Sequence, residues 1–102
     1  MKIELKNTTD LEQALANSFE GEILIFKHST RCGISRMALK NFEFDIDSNA
    51  GFENYYYLDL IAHRDLSNKI AEDLGVKHES PQLLYIKDGR VIKNQSHHQI
   101  SL

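Results

Sequence analysis

Apolar positions along the chain switch between helical and strand spacing, and each switch marks an element. Ile3 and Leu5 alternate within Met1 to Leu5, which predicts a short first strand. Thr8, Thr9 and Asp10 offer helix caps, and Glu12 stands three residues after Thr9 in capping-box spacing. Leu11, Ala14, Leu15 and Phe19 then recur at helical spacing until Gly21 closes the segment. Glu22 to Lys27 contains an unbroken apolar run, Ile23 to Phe26, as expected of a strand buried on both faces. After a polar loop over His28 to Arg31, a second helix is expected from near Cys32 to about Phe44. Ile34, Met37, Ala38 and Phe42 would form its apolar side, and the polar stretch Asp45 to Gly51 reads as a turn.

The second half repeats the alternation. Tyr55 to Leu60 is aromatic and branched enough for a strand. Leu66, Ile70 and Leu74 space a helix that opens at Arg64 or Asp65 and ends at Gly75. Gln82 to Lys87 and Arg90 to Lys93 flank Asp88-Gly89, a strong hairpin signal, while Gln95 to Leu102 gives no clear pattern. The order (β)αβα, a loop, then βαββ predicts an α/β fold: a central mixed sheet, parallel in part with an antiparallel edge, flanked by helices. This is the thioredoxin-like layout, with its closing C-terminal helix short or absent. Residues 1–102 are expected to form one such domain.

Composition narrows the function classes. The net charge is −3 and no basic stripe is present, which argues against nucleic acid as a partner. No stretch approaches membrane-spanning length, and Met1 to Asp10 does not resemble a signal peptide. One cysteine cannot form an internal disulfide, so a cytoplasmic setting is expected. The five histidines match no zinc spacing, and no metal is expected.

Cys32 carries the chemistry. It follows the buried strand and stands where a loop turns into a helix, where unpaired N–H groups and the dipole favour a thiolate. Thiolate is the nucleophile of disulfide exchange. Lys27, His28, Arg31 and Arg36 lie close in sequence and push the same way, and Gly33 leaves room for a partner sulfur. Ser35 stands where the second cysteine of a Cys-X-X-Cys pair would be; it either hydrogen-bonds the Cys32 sulfur or is a solvent-facing or cap-region serine. Lacking a resolving thiol, the chain should hold a mixed disulfide until a second thiol releases it. Pro81, the only proline, leads into the strand Gln82 to Lys87 and could be cis. In the thioredoxin-like layout such a proline lies beside the cysteine, and the backbone of the preceding residue, Ser80, pairs with substrate. Thr30, Arg31, Gly33, Ser35, Ser80 and Pro81 are thus the candidate substrate contacts, and Cys32 the catalytic residue. His28 and His78 could line the same cleft.

With these residues in place, the chain resembles the YtxJ-type family, the monothiol bacilliredoxins. The matching stretches run from Phe26 to Ser35 with Ala38, from Arg64 to Ser67 with Ile70 and Ala71, and from Val76 to Gln82 and on through Lys87 to Gly89. Ser96, His97 and Ile100 are similar to the family's tail. The resemblance implies a cysteine, Cys32, that takes bacillithiol off proteins as a mixed disulfide, with Pro81 as the cis proline. Bacillithiol would be a co-substrate, with no permanently bound cofactor. Partners would be S-thiolated cytoplasmic proteins and a small thiol or reducing dithiol. Gly33 departs from the proline the family commonly has there. Cys32-Gly-Ile-Ser35 is also similar to the motif of monothiol glutaredoxins, which carry an iron–sulfur cluster. A non-catalytic binding module on the same scaffold is the third class.

Overall fold

The computed structural model describes residues 1–48, 51–52 and 54–100, and of His98 the backbone only. In chain order the elements are β1 (Lys2–Glu4), α1 (Thr8–Asn17), β2 (Ile23–His28), α2 (Gly33–Ser48), β3 (Tyr55–Asp59), α3 (Arg64–Leu74), β4 (Gln82–Lys87) and β5 (Arg90–Ser96). A 3-10 turn, His97–Gln99, follows β5 at the position of the layout's closing helix. The five strands pair in the order β1-β3-β2-β4-β5. β1, β3 and β2 run parallel, whereas β4 lies antiparallel to β2, and β5 to β4.

β2 is the middle strand of the sheet, between β3 and β4, and it carries no polar residue until its last two positions. Its alternate residues feed two cores. Ile25 joins Leu58, Leu84 and Ile86 against Leu11 and Ala14 of α1 and Leu66 and Ile70 of α3. Leu24 and Phe26 join Tyr55, Leu83 and Tyr85 against Phe42 and Ile46 of α2. The Phe42 ring centroid lies 5.0 Å from that of Phe26, tilted, and 4.9 Å from that of Tyr55 in a T-shaped pair. Burying these rings supplies much of the driving force on that face.

Several boundaries depart from the sequence expectation. Asn7, rather than a threonine, caps α1, accepting the Asp10 N–H at 2.9 Å, while Asp10 accepts the Lys6 N–H at 2.9 Å. α1 stops at Asn17, so Phe19 lies outside it and is exposed. α2 runs on past Phe44 to Ser48 because Ile46 continues the buried stripe one turn beyond Phe42. That stripe is Ser35, Leu39, Phe42 and Ile46, with Ala38 beside it, whereas Ile34 and Met37 are exposed. Asn49 and Ala50, within the expected turn, lie outside the described residues. α3 ends as expected, with Gly75 in the left-handed region at φ 65°.

The β4–β5 hairpin turns through Asp88 (φ 52°) and Gly89 (φ 74°), the positive pair that a two-residue type I′ turn demands. This turn is tied to the end of α1. The Ser18 carbonyl accepts the Asp88 N–H at 2.8 Å and its hydroxyl accepts the Gly89 N–H at 2.9 Å. Ser18→Ala keeps the first bond and strands the second donor. It should lower stability by about 1–3 kcal/mol, read as a lower urea midpoint with unchanged slope.

Candidate active site

Residues 29–32 connect the end of β2 to the start of α2, and residues 80–81 lead into β4. Because β2 and β4 are antiparallel, with Lys27 opposite Gln82, both segments emerge at the same end of the sheet. Topology alone therefore places Cys32 and the Ser80–Pro81 pair on one rim. The Ser80–Pro81 peptide bond is cis, Pro81 is buried, and the Pro81 carbonyl accepts the His97 N–H at 3.1 Å.

Cys32 immediately precedes α2, its carbonyl accepting the Arg36 N–H at 3.0 Å and its own N–H bonding the Ser29 carbonyl at 3.2 Å. The residue is half-buried and its thiol is free. N–H groups of the first helical turn have no partner within the helix, and no acidic residue occupies that turn. An anionic sulfur at this position meets the positive end of the helix. Beside it, Gly33, Ile34, Met37, Ala38 and Asn41 of α2 face His97 and Ile100 across a mostly apolar groove of about 340 Å³.

Ser35 lies in the first turn of α2, as the cap-region reading has it, but it neither faces solvent nor bonds the sulfur. It is fully buried beneath the loop, and its hydroxyl is committed twice. It accepts the Ser29 N–H at 3.0 Å and pairs with His28 Nδ1 at 2.8 Å. Among the described residues no bond joins it to the Cys32 sulfur. Ser35 thus supports the loop from inside rather than presenting a surface to substrate.

The four basic residues near Cys32 also divide. Arg31 and Arg36 are exposed, and Arg36 reaches back to the Thr30 carbonyl at 3.5 Å. Lys27 and His28 are buried, and as successive strand residues they project to opposite faces. His28 goes to the α2 side, between the rings of Phe26 and Tyr57. Burial is the main cause holding its imidazole below the ordinary 6.5, against an opposing pull from Asp59. Lys27 goes to the α3 side, where its Nζ meets His78 Nδ1 at 3.1 Å; Ser67 Oγ lies 3.2 Å from the same nitrogen. Burial pushes the Lys27 amine down from 10.5 to about 8. His78 is lowered too, first by burial and then by the Lys27 and Arg64 charges, with Glu79 opposing.

His78 belongs to the approach to Pro81, and two further bonds tether this approach. Gln82 Nε2 donates to the Lys77 carbonyl at 3.0 Å, and the Ser96 hydroxyl bonds Glu79. Ser80 Oγ and Gln82 Oε1 are buried without a partner among the described residues. Lys27 and Ser67 were invisible in this role from sequence: a lysine at a strand end reads as solvated. The one available signal was that Lys27 ends a run otherwise buried on both faces. No group of histidine, cysteine and acidic residues among those described is arranged to hold a metal.

The model of the family described as monothiol bacilliredoxin BrxC matches residues 3–102. The chain belongs to the monothiol bacilliredoxin family. A solved structure described as a candidate oxidoreductase with a thioredoxin fold is 33% identical, covering 98% of this chain and 86% of its own, with a TM-score of 0.86. Thioredoxin from Malassezia sympodialis is 21% identical over 94% of this chain and 78% of its own, with a TM-score of 0.72. Thioredoxin from Fasciola hepatica, 21% identical over 92% of this chain and 85% of its own, gives 0.69. The fold of this bacilliredoxin is therefore thioredoxin-like, and its family and fold give it a thiol redox role.

The buried amine makes stability depend on pH. Lys27 binds its proton less readily folded than unfolded, so the folded state gains as pH climbs from about 8 towards 10.5. Lys27→Met should flatten that rise in a comparison of urea midpoints across the interval. Taking the difference between the two proteins cancels the tyrosines, whose own upward shifts act in the opposite sense above pH 10.

Proposed function

We propose that this bacilliredoxin removes a low-molecular-weight thiol, bacillithiol, from protein mixed disulfides in the cytoplasm, with Cys32 as the nucleophile. The observation that carries the reading is a half-buried free thiol at the start of α2 whose Cys-X-X-Cys partner position is filled by Ser35. Such a chain can begin an exchange but has no second sulfur with which to resolve it internally.

The Cys32 thiolate attacks the bacillithiol sulfur of the protein mixed disulfide. A new S–S bond forms to Cys32 as the bond to the protein sulfur breaks, and the protein leaves as a thiolate that solvent protonates. A second small thiol, or a reducing dithiol partner, then attacks the adduct and returns Cys32 to its thiolate. No electrons are lost in either step; the disulfide is passed along. Thr30, Arg31 and Gly33 border the sulfur in sequence and are exposed, so they are the contacts we assign to the incoming disulfide. Ser80 and Pro81, at the same end of the sheet, supply the backbone edge along which the modified segment lies.

Mass spectrometry of a bacillithiolated model protein mixed with this one tests the reading. Transfer of the adduct mass to Cys32 is expected, and Cys32→Ser should abolish it. Adduct removal by Cys32→Ser, or retention of the adduct by the model protein, would overturn the assignment. A brown iron–sulfur chromophore on reconstitution, with no transfer, would favour cluster carriage instead.

A further inference from the structure

His28 is a buried titratable group that the exchange chemistry does not use directly, and its surroundings say what it is for. It is 4% exposed, yet its Nδ1 is spent on a short bond of 2.8 Å to a serine that is itself wholly buried. That serine accepts the Ser29 N–H at 3.0 Å, and the Ser29 carbonyl accepts the Cys32 N–H at 3.2 Å. An unbroken chain of hydrogen bonds therefore runs from the end of β2, through the interior, to the residue that bears the sulfur. We propose that His28 is a positioning residue for Cys32, acting through Ser35 to fix the loop of residues 29–32.

The proton logic supports this. A serine hydroxyl has one hydrogen and two lone pairs. With the imidazole neutral, either Ser35 donates to Nδ1 or Nδ1–H donates to Ser35. In the first arrangement both lone pairs remain and in the second one does, so the Ser29 N–H finds an acceptor either way, and the two bonds hold the oxygen in place. Without His28 the hydroxyl has one partner and can leave it. A thiol at position 35 would make both bonds weakly, so the serine that removes a resolving sulfur also gives the loop a firmer anchor. Charges facing His28 come from Asp59 on β3, Lys2 on β1 and Arg36 on α2, and none of them is its hydrogen-bond partner.

This inference rests on the proposed role of Cys32, and its test keeps the two apart. Three quantities are measured for each variant: adduct transfer, alkylation of Cys32 by iodoacetamide, and the urea midpoint. Alkylation needs no disulfide substrate, so it reports on the sulfur even if bacillithiol transfer fails in the parent protein. Asn and Leu are close in shape, but only Asn can reach Ser35 from the Nδ1 position. His28→Leu should slow alkylation and transfer roughly tenfold or more at urea concentrations where the protein is still fully folded, although stranding the buried Ser35 hydroxyl lowers the midpoint itself. His28→Asn should restore both rates to within about threefold of the parent. Adding Ser35→Ala to His28→Leu should cost little more, because both act on one chain of bonds. Parent-like rates in His28→Leu, equal slowing by Asn and Leu, or rates that merely follow the urea midpoint would overturn the proposal.

Discussion

Lys27 and His28 end the central strand with two basic side chains that water cannot reach. Burying either as a free charge is costly, so each must be neutralised, hydrogen-bonded or both. The pleat sends them to opposite faces, and each finds its partner on a different segment: Ser35 for His28, His78 for Lys27. One segment carries Cys32 and the other leads to Pro81. The two sides of the rim are thus referenced to one short piece of backbone, itself held by strands on both sides. A geometry that depends on a rigid strand end is better defined than one resting on loops alone.

The same arrangement explains which parts of the molecule could be read from its sequence. Strands and helices followed from periodicity because β2 and the faces of α1 and α3 bury ordinary apolar residues. Asp88-Gly89 gave the hairpin because that turn needs two positive φ values. Periodicity failed on α2, where the first buried position is Ser35. A serine there counts as polar, so the apolar side was assigned to Ile34, Met37, Ala38 and Phe42; Phe42 and Ala38 do pack inward, but Ile34 and Met37 are exposed. What makes Ser35 buriable is a partner seven residues away on another element, and no spacing rule contains that information. Lys27 failed for the same reason: its partner His78 lies fifty-one residues on. The position of Cys32 was legible because it depends on local pattern alone: the polar loop gives way to a helix there, and α2 starts at Gly33.

A dithiol site of this fold gains its second step from a neighbouring sulfur and so needs that sulfur mobile enough to attack. Here the equivalent side chain is buried and twice bonded, and mobility at that position would be a liability. Under the proposed exchange a regenerating thiol would approach from solvent, on the side where Thr30, Arg31 and Gly33 are exposed. On that proposal, resolution would be open to any thiol that fits the rim, while the first attack would depend on how firmly Cys32 is held. Specificity and rate are divided between the surface of the loop and its underside.

The underside also limits what the site can become. Restoring a cysteine at position 35 would supply a resolving sulfur but would exchange a strong hydroxyl anchor for a weak thiol one. The loop would gain a second redox step as it lost its fix on His28 and, through Ser29, on Cys32. If Cys32 is the nucleophile as proposed, a monothiol site of this kind is more than a dithiol site with one sulfur missing: the residue in the second-cysteine position is also the one bonded beneath the loop. On this view the buried histidine and the serine are a unit, each of limited use without the other, and the interior of β2 sets the position of the sulfur at its surface.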